Sequence, residues 1–286
     1  MNRSIRVTTP AKINLFLRVL AERPDGYHDI ETVFQAIDLY DELIIDETVG
    51  ATSLSVPDRP DLESEDNLIM RAARWLENRI GQSLPVKIRL VKRIPVAAGL
   101  GGGSSDAAAT LVGMRSLFGL DLGNDELFEG AVALGADVPF FLRGGSAVGE
   151  GIGERLSSVN LPMNYSVLLI CPALSVSTGA IFREFSKILT GEGREGTLWP
   201  RLQEAARVED LLCNDLQSVT ESRYPELVAV RRSMENAGLK AVLMSGSGPT
   251  FFGLIEPAEV ENVIRRLPSE LKIVSARPVR RGIVLH

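Results

Sequence analysis

The run Pro95-Val96-Ala97-Ala98-Gly99-Leu100-Gly101-Gly102-Gly103-Ser104-Ser105 stands between two segments of opposite periodicity. Upstream, Val86, Ile88 and Leu90 alternate with Lys87 and Arg89, the period-two pattern of a strand that ends near Pro95. Downstream, Ala107, Leu111, Met114 and Leu117 share a helical stripe that Gly119 terminates. The glycines therefore join a strand to a helix N-terminus. Residues without a Cβ let backbone approach a ligand closely and reach φ > 0, which turns N–H groups inward. The unpaired N–H groups and positive dipole end of the following helix suit a phosphate. So many consecutive glycines carry an entropic cost that a plain turn would not require. No Gly-Lys-Ser/Thr closes the run as in a P-loop, and Ser104 stands where a dinucleotide fingerprint needs its third glycine.

Working outward, Ala11, Ile13, Leu15 and Leu17 alternate with Lys12, Asn14 and Phe16, so a strand is expected with Lys12 and Asn14 as neighbours on one face. Arg23-Pro24-Asp25-Gly26 has tight-turn chemistry that delivers Tyr27 and His28, and a second strand is expected over residues 32–39. Asn67 is a good N-cap for a helix carrying Leu68, Ala72, Trp75 and Leu76. Another helix fits residues 124–135, and Asp137 follows its C-terminus, where the dipole disfavours a negative charge. Asp137 reads either as a turn acid or as a general base with a cation such as Lys12 nearby. In the second half, strands at 167–170, 241–244 and 250–254 are expected, the last two flanking Ser245-Gly246-Ser247-Gly248-Pro249, and 191–196 reads as a surface loop. The boundary between two domains is placed at 160/161.

Composition narrows the function. Thirty-one Lys and Arg against 37 Asp and Glu give a net charge of −6, which disfavours nucleic acid or an anionic membrane as partner. The basic run Lys87, Arg89, Lys92 and Arg93 is a local reversal of that charge, read either as a solvated strand face or as an anion-facing patch. Two cysteines 42 residues apart suggest neither a disulfide framework nor a metal site. With no signal-peptide core and no 18-residue apolar run, a cytoplasmic location is expected. His28 and His286 are the two histidines, and no Gly-x-Ser-x-Gly elbow occurs, which argues against a Ser-His-Asp hydrolase. Oxygen-ligated Mg²⁺ is the metal that such a chain would use.

The glycine run resembles the phosphate loop of the GHMP kinases. The segments 10–17, 23–28, 134–139 and 244–250 resemble, in order, the branch of that family whose acceptor is a cytidine diphosphate-linked methylerythritol. The resemblance implies an α+β fold with two domains, 1–160 of the ribosomal-protein-S5-like kind and 161–286 ferredoxin-like, with the active site in the cleft between them. It implies ATP and Mg²⁺ as cofactors, a small-molecule acceptor, no nucleic acid, no membrane, and a monomer or homodimer. By the same resemblance Asp137 takes the proton of the acceptor hydroxyl and Lys12 steadies the transferring phosphoryl group. Residues 95–105 and Asn67 would hold ATP, with Ser105 as a metal ligand; Asn67 as N-cap remains the alternative. Asn14, Tyr27, His28, Thr178 and Phe182 would hold the acceptor, with Tyr27 and Phe182 enclosing the base. A related kinase for another alcohol, or a nucleotide or sugar-phosphate sensor without catalysis, are the alternative readings.

Overall fold

Two long strands organise the first half of the chain. The structure is a computed structural model that describes residues 3–189 and 194–286. β1 (Ser4–Glu22) and β2 (His28–Glu47) form an antiparallel hairpin much longer than the two short strands expected. Its turn closes as the Pro-Asp-Gly chemistry predicts, with Gly26 at φ 82° and the Arg23 N–H donating to the Tyr27 carbonyl at 2.8 Å. The register shifts between Asn14 and Phe16, a bulge that leaves Leu15 without a partner on β2. Before the bulge the expected alternation holds. Beyond it the faces exchange: Phe16 packs with Ala11, Ile13 and Leu15, whereas Leu17 joins Lys12 and Asn14 at the cleft. The faces expected for Phe16 and Leu17 are thereby corrected, because one extra residue inverts the side chains that follow it, here as far as the next register shift between Val19 and Ala21.

The remaining strands of this sheet are β3 (Ser53–Ser55), β4 (Val86–Val91), β5 (Ser146–Glu150) and β6 (Arg155–Ser158). Together with β1, β2 and two short late strands, β8 (Cys213–Asn214) and β12 (Val284–Leu285), they give eight strands among the described residues, in the order β12-β1-β2-β4-β3, with β5 on β2, β6 on β5 and β8 on β1. α1 (Leu68–Ile80), α2 (Gly102–Phe118), α3 (Asn124–Leu134) and α4 (Val138–Arg143) bury Val7, Leu43, Ile45 and Ile88 beneath them. The four basic residues upstream of the glycine run divide: Lys87 and Arg89 lie on the solvated side of β4, as alternation demands, Arg93 is exposed, and Lys92 turns inward.

The second sheet is built from β7 (Ser166–Ile170), β9 (Ala241–Met244), β10 (Phe251–Ile255) and β11 (Ile273–Ala276), in the order β11-β7-β10-β9 and antiparallel throughout. Counted by their order in the chain, these strands lie 4-1-3-2. Helices α5 (Thr178–Ser186), α6 (Leu198–Glu204), α7 (Leu216–Arg223) and α8 (Glu226–Asn236) lie between the first two strands, and α9 (Val260–Ile264) between the last two. This is the β-α-β-β-α-β connectivity of a ferredoxin-like domain. The two-sheet α+β architecture expected from the sequence is therefore present. Ala11, Ile13 and Phe16 of the first sheet share a core with Val167, Leu169 and Phe252 of the second, so the sheets meet through continuous apolar packing. A division at 160/161 is incomplete in space. β8 (Cys213–Asn214) and β12 (Val284–Leu285) both pair with β1, and Val279 donates its N–H to Ala36. Of the loop expected at 191–196, residues 191–193 lie outside the described residues.

Beneath the glycine run lies a buried group of charges that no motif announces. Lys92 Nζ sits 2.5 Å from Asp41 Oδ2 and 2.6 Å from Asp106 Oδ2, with the three side chains at most 6% exposed. Asp41 Oδ1 also accepts the backbone N–H groups of Arg93 (2.6 Å) and Ile94 (2.9 Å). Asp106 Oδ1, by contrast, is buried with no partner. Burial opposes the Lys92 ammonium, yet the two carboxylates outweigh it and hold its pKa above the ordinary value. Burial first, and the neighbouring Asp41 in addition, push the Asp106 carboxyl well above the usual range, against the pull of Lys92. One cation serves two acids, and Asp106 is the acid left over.

Ionised Asp106 thus costs stability at pH values above its raised pKa, and that cost disappears as it binds a proton on the way down to its ordinary 3.8. Asp106→Asn, which keeps an acceptor for Lys92 without the charge, is expected to raise Tm at pH 8 by about 2–4 °C. The gain should shrink steadily towards pH 4, and thermal unfolding of both proteins across that range reads it.

Candidate active site

A cleft of about 730 Å3 opens between the two sheets and gathers side chains from both halves of the chain. At its floor is Lys12, 4% exposed although it carries an ammonium group. Its backbone N–H donates to the Leu100 carbonyl at 3.0 Å, which fixes β1 against the glycine run. Its Nζ donates to Asn14 Oδ1 at 2.7 Å and lies 3.3 Å from Asp137 Oδ2. The chain of donors continues: Asn14 Nδ2 to Thr32 Oγ1 at 2.8 Å, and Thr32 Oγ1 to the Phe16 carbonyl at 2.6 Å. Because each hydroxyl or amide has its acceptor, Asn14 is held with its oxygen towards Lys12 rather than its amide nitrogen. The alternation of β1 had placed Lys12 and Asn14 side by side, and the hydrogen bond shows that they touch.

Asp137 stands between two helices. It follows α3 and occupies the N-cap position of α4 without capping it by its side chain, leaving the carboxylate directed at Lys12 and about one-third exposed to the cleft. The expectation that its site disfavours a negative charge is corrected here, since α4 presents its positive N-terminal end. That helix was not legible in Val138-Pro139-Phe140-Phe141-Leu142-Arg143, six residues being too few for a period to show.

The glycine run forms the cleft wall. Gly99 (φ 75°) and Gly101 (φ 70°) take the left-handed conformations that such residues permit. Ala97, at φ 52°, is the one non-glycine residue at positive φ among the described residues. A Cβ at Gly99 would fall onto the Ser245 carbonyl, and one at Gly101 would lie 2.7 Å from Phe141 Cζ and 3.0 Å from Lys12 Cγ. No side chain caps the N-terminus of α2, so its first N–H groups are left for a ligand. Pro95, Val96, Ala97, Ala98, Gly99, Gly101, Gly102, Gly103, Ser104 and Asn67 all line the cleft. Asn67 also caps α1, accepting the Ile69 N–H at 2.9 Å, so the N-cap reading of it is present in the structure.

Two members of the run depart from expectation. Leu100 points its side chain into the core shared by the sheets, and its carbonyl accepts the Lys12 N–H. Ser105, expected as a metal ligand, is fully buried; its Oγ donates to the Pro10 carbonyl at 2.6 Å and meets Thr9 Oγ1 at 2.6 Å, facing away from the cleft. On the second turn-side residue of a helix start, a shift of one position (100° of rotation) separates Ser104 in the cleft from Ser105 in the core.

The loop 245–250 is more than a hairpin turn. Ser245 Oγ donates to the Gly99 carbonyl at 2.9 Å and accepts the Asn14 N–H at 3.3 Å, tying the second sheet to both β1 and the glycine run. Ser247 Oγ lies 2.8 Å from Thr178 Oγ1, which brings Thr178 to the cleft. At this end the His28 and Phe182 rings are 5.0 Å apart and tilted by 38°, and Tyr27, 59% exposed, also lines the cleft. Burial lowers the His28 pKa against the opposite pull of Glu22. Sequence reasoning did not single out Arg183, and it named Lys92 and Ser247 only as members of the basic run and of the 245–249 segment; all three line the cleft. Arg183 had a usable signal, being one residue from Phe182, whereas Lys92 was hidden within a run of bases.

Comparison with known proteins decides the family. GHMP kinase N-terminal domains match residues 67–145 and GHMP kinase C-terminal domains match residues 198–273. The 4-diphosphocytidyl-2-C-methyl-D-erythritol kinase of Geobacter metallireducens is 42% identical over 265 residues, covering 90% of this chain and 91% of that one. That of Bacillus pumilus is 42% identical over 277 residues, covering 92% and 91%. This chain belongs to the 4-diphosphocytidyl-2-C-methyl-D-erythritol kinase family of GHMP kinases. A crystal structure of 4-(cytidine 5'-diphospho)-2C-methyl-D-erythritol kinase superposes on this family member with a TM-score of 0.80 at 37% identity, over 96% of this chain and 98% of the other. A homoserine kinase from Cytophaga hutchinsonii (TM-score 0.74, 18% identity) shares the fold. The protein is thus an ATP-dependent small-molecule kinase, and among the described residues no helix is long and apolar enough to cross a membrane.

In this kinase the Gly101→Ala exchange must displace either Phe141 or Lys12. A loss of ATP affinity of about tenfold or more is expected, with a cooperative unfolding transition retained; calorimetric titration of the variant with ATP measures the first and thermal unfolding the second.

Proposed function

We propose that this kinase transfers the γ-phosphoryl group of ATP to the 2-hydroxyl of 4-diphosphocytidyl-2-C-methyl-D-erythritol, giving the 2-phosphate and ADP in the non-mevalonate route to isoprenoid precursors. The observation that carries the reading is the Lys12–Asp137 pair, 3.3 Å apart, in a cleft that runs from the glycine wall to the Tyr27, His28 and Phe182 end. A nucleotide at the wall and a second, cytosine-bearing molecule at the other end would bring their reacting groups together over that pair.

Asp137 takes the proton of the 2-hydroxyl as its oxygen bonds to the γ-phosphorus. The bond from that phosphorus to the bridging oxygen breaks, and ADP leaves with the electron pair. Lys12 holds the Asp137 carboxylate in place and faces the charge on the transferring group, while Asn14 hydrogen-bonds the polyol. The uncapped N-terminus of α2 and the glycine amides take the phosphates. Mg²⁺ bound with the nucleotide would neutralise phosphate charge. Ser104 and Asp137 are cleft oxygens at hand for such an ion, beside the phosphates and water. Lys12 and Lys92 already face carboxylates, so Arg183 is the cleft cation best suited to the acceptor's diphosphate. Tyr27 and Phe182 would enclose the cytosine.

Asp137→Asn is expected to lower kcat by about 10²–10⁴ with ATP affinity unchanged. ADP release measured with the cytidyl acceptor, homoserine, mevalonate and no acceptor tests the substrate: preference for another alcohol would overturn the assignment, and near-normal turnover by the variant would remove Asp137 from the mechanism. Tyr27→Ala should raise KM for the cytidyl acceptor about tenfold with kcat held, and an unchanged KM would exclude Tyr27 from the base site.

A further inference from the structure

The His28 ring is held from behind by a residue outside the motifs. His28 Nε2 lies 2.6 Å from Ser186 Oγ, and the same Oγ lies 3.3 Å from the Phe182 carbonyl, one helical turn earlier in α5. A serine hydroxyl has one proton, and a carbonyl can only accept. If Oγ gave its proton to Nε2, the contact with the Phe182 carbonyl would set two acceptors against each other. Both contacts are hydrogen bonds in one arrangement alone, in which Oγ–H donates to the Phe182 carbonyl and accepts from Nε2–H. A neutral imidazole with its proton on Nε2 has a bare lone pair on Nδ1. Nδ1 has no protein partner among the described residues, nor is it among the buried unpaired atoms, and the ring lines the cleft beside Phe182. Burial lowers the His28 pKa, which favours the neutral ring.

We propose that Ser186 is a positioning residue for base specificity: it fixes the Nε2–H tautomer of His28 so that Nδ1 presents an acceptor to the base. This rests on the cytidyl-acceptor reading above. An acceptor at that place complements the exocyclic amine of cytosine, which donates, and opposes the carbonyl that uracil carries at the same position. The discrimination comes from leaving two acceptors face to face, the kind of mismatch that polar sites reject more strongly than a missing methyl group. Ser186 is joined to Phe182 by the same hydroxyl, so the ring that packs against His28 and the carbonyl that orients it belong to one turn of helix.

With His28 and His286 as the two histidines of the chain, imidazole ¹⁵N spectra can be assigned with a single His286→Ala control. The wild-type enzyme at pH 7.5 is expected to show His28 as the Nε2–H tautomer, and Ser186→Ala to show an averaged mixture, with Ser186→Thr restoring the wild-type signal. In parallel, the ratio of kcat/KM for the cytidyl acceptor to that for its uridyl analogue should fall about tenfold in Ser186→Ala and recover in Ser186→Thr. An Nδ1–H tautomer in the wild type overturns the proposal. So does a cytidyl preference undiminished in a folded Ser186→Ala enzyme. A wild type that shows Nε2–H yet turns over neither nucleotide-linked acceptor would instead overturn the substrate reading, and the tautomer lock would stand on the spectrum.

Discussion

The hydrogen bond from the Lys12 backbone to the Leu100 carbonyl is the contact to which the rest of the cleft is referred. It fastens the middle of a long strand to a loop that has little side-chain packing of its own. Through it one residue serves three partners: its backbone sets the loop, its ammonium group holds Asn14, and the same group faces Asp137. Positioning of the base and of the phosphate cradle are consequently not independent. The Ser245 hydroxyl makes the matching connection from the second sheet, bonding the Gly99 carbonyl and the Asn14 N–H. Removal of a Cβ at Gly99 is what allows that approach.

Much of this was legible from residue order. The strand, glycine run and helix from Val86 to Phe118 follow from periodicity and from where glycine stands, and the adjacency of Lys12 and Asn14 follows from a period of two. Three features were not legible, for physical reasons. A bulge at Leu15 depends on pairing with β2, which is a property of two strands and not of one. The cap at Asp137 belongs to a six-residue helix too short to show a stripe. The ion group of Asp41, Lys92 and Asp106 joins residues 65 positions apart through a fold that local pattern does not encode. Ser105 shows the opposite failure, since a conspicuous motif position turned out to be a core hydroxyl.

The buried ion group also shows how the cleft is supported. Lys92 lies against the first residue of α2, where a Cβ on Gly102 would be 2.8 Å from its Nζ. A cation under a helix N-terminus works against the dipole, and Asp106, one turn further along α2, offsets it. The arrangement leaves one carboxyl oxygen without a partner, a local cost borne at the edge of the nucleotide wall while the surrounding apolar packing of α1, α2 and β4 holds it in place.

The pairing of β1 with two short late segments bears on how the protein is made. On the ribosome, β1 and β2 emerge within the first fifty residues, yet the outer edge of β1 is covered by residues 213–214 and 284–285. For most of synthesis that edge has its N–H and C=O groups open, along a strand rich in apolar side chains, the arrangement that invites pairing with another nascent chain. The first domain therefore cannot finish folding before the second has been translated. Protection of the nascent hairpin in the cell falls to chaperones or to the speed of elongation, and not to the order in which the fold is assembled.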